Sequence, residues 1–195
     1  MKKSTTSITI IIIIMIVGVV GYYTYLSNKS RTLKEETALT QIQETLARDL
    51  SLDYPPSPKE TIKYYNEIID CLYNEECSEA DIEALGQQAR ELYDADLLAN
   101  NENEMYLVNL KAEVQDYKEN QRRIVSVVLE PSADVDRYEE DGYSFARIRC
   151  SYNMMENGEA KRSDQVYLLR RDENKKWKIY GWMSLEEYNA LTSQE

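Results

Sequence analysis

Histidine is absent from this chain of 195 residues, which removes the commonest general base and the commonest zinc ligand. Proton chemistry would fall to Asp, Glu, Lys or the 16 tyrosines. Most of the acids sit at helix positions that read as solvated, so the sequence assigns no catalytic residue, no cofactor and no metal site. Glu75 and Glu76 with Glu79 and Asp81 invite a calcium reading. They lack the alternating oxygen-ligand spacing and central glycine of an EF-hand loop, and acids next to a helix cap account for them better. The three cysteines, Cys71, Cys77 and Cys150, are too few for a disulfide framework. Cys71 and Cys77 flank an expected turn between two helices; they either bridge or pack as separate small apolar groups, the second reading being favoured.

The best-defined constellation lies between Tyr143 and Met183, which reads as three strands joined by two short turns. In the first, Ala146, Ile148, Cys150, Tyr152 and Met154 share one face by simple alternation. Asn157-Gly158 is a hairpin signal, and a second turn falls at Asp172-Glu173-Asn174. In the last strand Trp177 and Ile179 oppose Lys176 and Lys178. The same alternation predicts an outer face on which Tyr143, Phe145, Tyr180 and Trp182 interleave with Arg147, Arg149, Lys176 and Lys178. Basic residues among aromatics superficially suggest nucleic-acid stacking. A net charge of −12 opposes it. Tyr143, Phe145, Arg147, Arg149, Tyr180 and Trp182 are therefore read as a surface for a protein partner or a second copy, since aromatic and arginine anchors dominate such interfaces. The plainer alternative is cross-strand packing of rings on arginine and lysine stems.

Other elements must position these strands. Met1-Lys2-Lys3 precedes an uncharged, isoleucine-rich run from Ile8 to Leu26, about the length needed to cross a bilayer as a helix, with Tyr22, Tyr23 and Tyr25 at its end. The run predicts a single-pass signal-anchor in the cell membrane with the remaining domain extracytoplasmic; cleavage near Val19-Val20-Gly21 is the competing reading. Basic residues on the two sides of the run are too evenly matched to decide orientation. Residues 27–54 read as a helical stalk in which Leu39, Ile42, Leu46 and Leu50 fall at helical spacing. That stripe either lies on the domain, the favoured reading, or pairs two copies as a short coiled coil. Proline-rich sequence then predicts the start of the folded unit, 55–195.

Ser57-Pro58-Lys59-Glu60 has the composition of a helix start, and the stripe Ile62, Tyr65, Ile69 and Leu72 follows it. A second helix is predicted from Ser78 to about Asn100, with Ile82, Leu85, Ala89, Leu92 and Tyr93 inward. A third is predicted from about Glu104 to Lys118, presenting Met105, Val108, Leu110, Val114 and Tyr117. After Arg123 the pattern turns to β-branched runs, and Ser184-Leu185-Glu186-Glu187 reads as the capping box of a short last helix. The expected fold is α+β: about three helices packed on a curved antiparallel sheet of four to five strands. Charge is uneven across it, with 5 basic and 16 acidic residues from Pro58 to Glu119 and 12 against 11 from Asn120 to Tyr180.

This order of elements, together with the closing strand Lys175-Lys176-Trp177-Lys178-Ile179-Tyr180-Gly181-Trp182, resembles the nuclear transport factor 2-like, cystatin-like cone domains over roughly Pro55 to Met183. The stretches Tyr-Pro-Pro-Ser-Pro, Tyr-Asn-Glu-Glu, Leu-Leu-Ala-Asn-Asn and Val-Tyr-Leu-Leu-Arg-Arg-Asp-Glu-Asn are also similar to a bacterial family of membrane-anchored proteins with no assigned activity. The cone resemblance implies a pocket between the helices and the concave sheet and dimerisation through the outer sheet face. In its isomerase-like members it implies a pocket carboxylate as base with a tyrosine or neutral acid as donor. No Asp-Tyr pair here matches that motif. Two functions remain open: a membrane-anchored, non-catalytic binding or interaction domain, and an isomerase- or dehydratase-like enzyme with an Asp/Tyr pocket. A pocket filled by Tyr and Trp favours the first, and a buried carboxylate within reach of a Tyr favours the second.

Overall fold

The computed structural model describes residues 39–193; the run 8–26 expected to cross a membrane lies outside them. Among the described residues no helix is long and apolar enough to span a bilayer. The described chain is α+β, with six helices and a five-stranded antiparallel sheet. In chain order the elements are α1 (Gln41–Leu46), α2 (Pro58–Asn74), α3 (Glu79–Arg90), α4 (Ala95–Ala99), α5 (Asn103–Glu119), β1 (Arg123–Leu129), β2 (Asp136–Glu140), β3 (Tyr143–Glu156), β4 (Glu159–Arg171), β5 (Trp177–Ser184) and α6 (Leu185–Thr192).

The helix starts form where short side chains can satisfy free backbone N–H groups. Ser57 accepts from the Glu60 N–H at 3.3 Å, with Pro58 in the first turn. Reciprocal capping boxes close the starts of α3, through Ser78 and Asp81, and of α6, through Ser184 and Glu187. The helix expected to run from Ser78 to about Asn100 is broken in two. Leu92 to Asp94 leave the helix and run beside the edge of β5, where the Asp94 N–H donates to the Ile179 carbonyl and the Ile179 N–H to that of Leu92, both at 2.8 Å. Asp94 then starts α4 by accepting from the Asp96 N–H. Two hydrogen bonds to a sheet edge that would otherwise be open replace the helical ones given up.

Of the stretch read as a stalk, residues 27–38 lie outside the described residues, and the part from Gln41 onward lies on the domain. Ile42 and Leu50 are buried in the core, and the Thr45 carbonyl accepts from the Tyr64 hydroxyl at 2.7 Å. The folded unit therefore includes Gln41 to Tyr54 as well as the residues from Pro55 onward. In α5 only Leu110 and Val114 are buried; Met105 and Val108, expected on the core side, face solvent.

The sheet order is β1-β3-β4-β5, with β2 pairing the first half of β3. Asn157 and Gly158 both adopt positive φ in the two-residue β3–β4 turn, the backbone that an Asn-Gly pair supplies at low cost. Ala146, Ile148, Cys150 and Tyr152 of β3 are buried on the inner, helix-facing side, as their alternation predicts. Tyr167 and Leu169 of β4 and Trp177 and Ile179 of β5 join them against α2 and α3. Cys71 and Cys77 are separate thiols, and the Cys77 thiol donates to the Cys71 carbonyl.

Candidate functional site: a tyrosine-lined cleft

The site begins with a break in alternation. Leu169 pairs with Ile179 and Leu168 with Gly181, so Tyr180 is an extra residue in β5. A one-residue bulge reverses the facing of everything beyond it. Trp182, expected on the outer face beside Tyr180, consequently stands opposite Tyr167 on the inner face. It is 42% exposed, whereas Trp177, before the bulge, is 9% exposed in the core.

Trp182 meets three buried tyrosines from different elements, its ring centroid 6.2 Å from that of Tyr65 on α2 and 6.0 Å from those of Tyr93 and Tyr167. These contacts are tilted, with centroids inside the range of favourable aromatic pairs. Two cavities adjoin the cluster, one of about 170 Å³ toward β3 and β4 and one of about 200 Å³ toward α3 and α5. Tyr65, Ile69, Tyr73, Glu113 and Trp182 line both, so the two are halves of one cleft between α2, α5 and the inner sheet. Tyr73 stacks on Tyr117 at 3.9 Å along the cleft wall.

Hydroxyl groups behind the rings are satisfied internally. The Tyr152 hydroxyl donates to Asn66 Oδ1 at 2.6 Å and shares a 2.7 Å hydrogen bond with the Tyr167 hydroxyl, while the Tyr65 and Tyr93 hydroxyls lie 3.3 Å apart. Burial pushes the phenols of Tyr65, Tyr73, Tyr93, Tyr106, Tyr152 and Tyr167 above their ordinary range; at Tyr73 the neighbouring Glu113 carboxylate adds to the effect. They are neutral at physiological pH and are not bases. The thiols follow the same rule, Cys77 being pushed up to about 11 chiefly by burial. Glu113 is exposed at the cleft rim. The buried carboxylate of the domain, Asp94, is engaged elsewhere, accepting from Arg170, whose guanidinium also reaches Asp96. Among the described residues no group of three His, Cys, Asp or Glu is placed to hold a metal ion.

Five of the six residues expected on the outer face are there. Phe145 stacks on Tyr138 at 5.5 Å and meets Tyr180 edge-on at 5.9 Å. Arg170 stands over Tyr143 at 4.9 Å and over Tyr180 at 4.8 Å. Arg147 covers the Tyr138 ring and donates to the Tyr188 hydroxyl at 2.6 Å, which ties α6 across this face. Arg149 is exposed beyond them, its backbone N–H donating to Glu130. Lys176 and Lys178 lie at the sheet edge over the Tyr54 ring instead of among these residues. Strand alternation alone misplaces Trp182, and it gives no sign that Tyr65, Tyr73, Tyr93 and Tyr167 converge. The available signal is tyrosine at inward positions of the two predicted helices, Tyr65 and Tyr93.

The fold and cleft define an α+β domain with an aromatic pocket between its helices and one face of an antiparallel sheet. The chain belongs to the family described as domain of unknown function DUF6715, which matches residues 1–182. The curated proteins contain no match to it.

Proposed function

We propose that this chain is a membrane-anchored, non-catalytic binding protein whose ligand enters the tyrosine-lined cleft. The observation that carries the reading is Trp182: a bulge turns it inward, yet it stays partly open, standing at the boundary of both half-cavities. Bulges of this kind re-aim side chains next to sites of function. The uncharged run 8–26 supports the anchor, and its short basic leader supports an extracytoplasmic domain. Helices followed by an antiparallel sheet with a pocket between them support grouping the domain with the nuclear transport factor 2-like cones.

The enzyme reading rests on Glu113 beside Tyr73. An exposed carboxylate is not held in the dry environment that tunes a general base, and the phenols around it are neutral. A protein partner on the outer face is the second reading, carried by exposed Met183 and Leu191 around a groove of about 650 Å³ beside α6.

Cyclohexanol, a neutral probe of suitable size, tests the cleft. It should shift the indole N–H resonance of Trp182 in the full-length chain, and Ile69→Phe, which fills the cleft, should abolish the shift. A shift that survives Ile69→Phe, or none in wild type, would sink the reading. Retention in membranes after a high-salt wash, with the domain open to protease added to spheroplasts, tests the anchor and its orientation.

A further inference from the structure

We propose that the cleft binds a small organic cation carrying a quaternary ammonium group; this rests on the cleft being a ligand site. Glu113 is the one charged residue among those lining either half, and it lines both. Among the described residues it has no basic partner, in a domain where ion pairs are common. The rest of the wall includes Tyr65, Tyr73, Tyr93, Tyr106 and Trp182 among apolar and neutral polar residues. Ring faces are the negative ends of aromatic quadrupoles, and tryptophan is the strongest of them. A carboxylate and several aromatic rings around one small space suit a cation.

The alternatives fit less well. An anion would meet Glu113 with no Lys or Arg on the wall to oppose it. A neutral ligand would leave the Glu113 charge without a counter-charge. A primary ammonium could give N–H groups to Glu113, but it is a compact, strongly hydrated charge that costs more to strip of water, and the hydroxyls of Tyr65, Tyr93, Tyr152 and Tyr167 are already engaged with one another or with Asn66. A quaternary ammonium has no donors to satisfy and presents only polarised methyl groups to the rings. Rings bordering this cleft already hold cations from outside it: Arg90 lies 5.0 Å from the centroid of Tyr106 and Arg122 lies 5.5 Å from that of Tyr117. Neither arginine lines the cleft, and Arg122 is neutralised by Asp116 and Glu156.

Titration calorimetry on the full-length chain in a non-ionic detergent, at constant ionic strength, would compare choline with 3,3-dimethylbutan-1-ol, its neutral carbon isostere. Choline should bind about tenfold or more tighter, the ratio a desolvated cation–π contact implies. Glu113→Gln and Trp182→Ala should each lose about tenfold in choline affinity while leaving thermal unfolding nearly unchanged. Glycerophosphocholine distinguishes the source: tighter binding than choline would point to a lipid headgroup, weaker binding to a free solute, and either keeps the ammonium assignment. If the isostere binds as tightly as choline and Trp182→Ala weakens both, the cation assignment falls and the cleft reading stands. If neither compound binds, or if choline binds both variants as it binds wild type, the cation assignment is overturned; silence from cyclohexanol as well would remove the cleft reading with it.

Discussion

On the inner face of the sheet, Tyr65, Tyr93, Tyr167 and Trp182 come from separate elements and meet around a space they do not fill. On the outer face, Tyr138 and Phe145 come from the adjacent strands β2 and β3 and Tyr180 from β5, beyond β4, and the rings close on one another, with Arg147 and Arg170 laid over rings. Ring pairs with centroids 5.5 and 5.9 Å apart leave no room for a guest between them, so these rings hold the sheet together. Rings brought from a helix, a loop and two strands pack at angles, and their misfit leaves a cleft. The number of aromatic residues on a surface is therefore a poorer guide to binding than the number of elements supplying them.

The two tryptophans of β5 give the strongest test of this difference. Trp177→Ala should cost about 3–5 kcal/mol in thermal unfolding, the range for deleting a large buried aromatic, whereas Trp182→Ala, at the open cleft, should cost far less. Equal losses would mean that both rings belong to the core and that the bulge at Tyr180 builds no site. Tyr152→Phe comes next, at about 1–3 kcal/mol, because it strips buried Asn66 and Tyr167 of a partner while keeping the ring. Chemical denaturation would show it, and an unchanged midpoint would place water behind those hydroxyls.

Alkali should separate buried inner phenols from ordinary ones. Unfolded tyrosines titrate near 10, and the inner phenols are held above that by burial. Above about pH 10 the unfolded chain loses phenol protons that the folded one keeps, and the buried thiols add a smaller loss that begins at about pH 9, so stability should start to fall at about pH 9 and fall more steeply above about 10. Denaturation midpoints from pH 8 to 11 would check the sign. The smallest effect belongs to the outer face: Tyr188→Phe removes the hydroxyl that accepts from Arg147, at roughly 0.5–1.5 kcal/mol. It should loosen α6 in hydrogen exchange without altering cleft binding. A loss of choline affinity in that variant would couple the two faces and break the comparison.

Local chemistry made much of this protein legible in its sequence. Ser57, Ser78 and Ser184 mark helix starts because a hydroxyl one residue before a helix satisfies N–H groups whatever lies elsewhere in the chain. Asn157-Gly158 and the inward face of β3 were readable for the same reason: turn backbone and strand alternation are properties of a few adjacent residues. Three features depended on residues distant in the chain. The predicted second helix breaks because Leu92 and Asp94 find hydrogen bonds on Ile179, more than eighty residues away by number. Arg170 reaches Asp94 across a similar separation. Trp182 faces inward because β4 and β5 pair with a bulge at Tyr180, and register belongs to two strands and is written in neither alone. The sequence by itself thus determined the capped helix starts at Ser57, Ser78 and Ser184, the β3–β4 turn and which β3 residues are buried; tertiary pairing decided where the second helix breaks and which rings converge, and with that where the cleft lies.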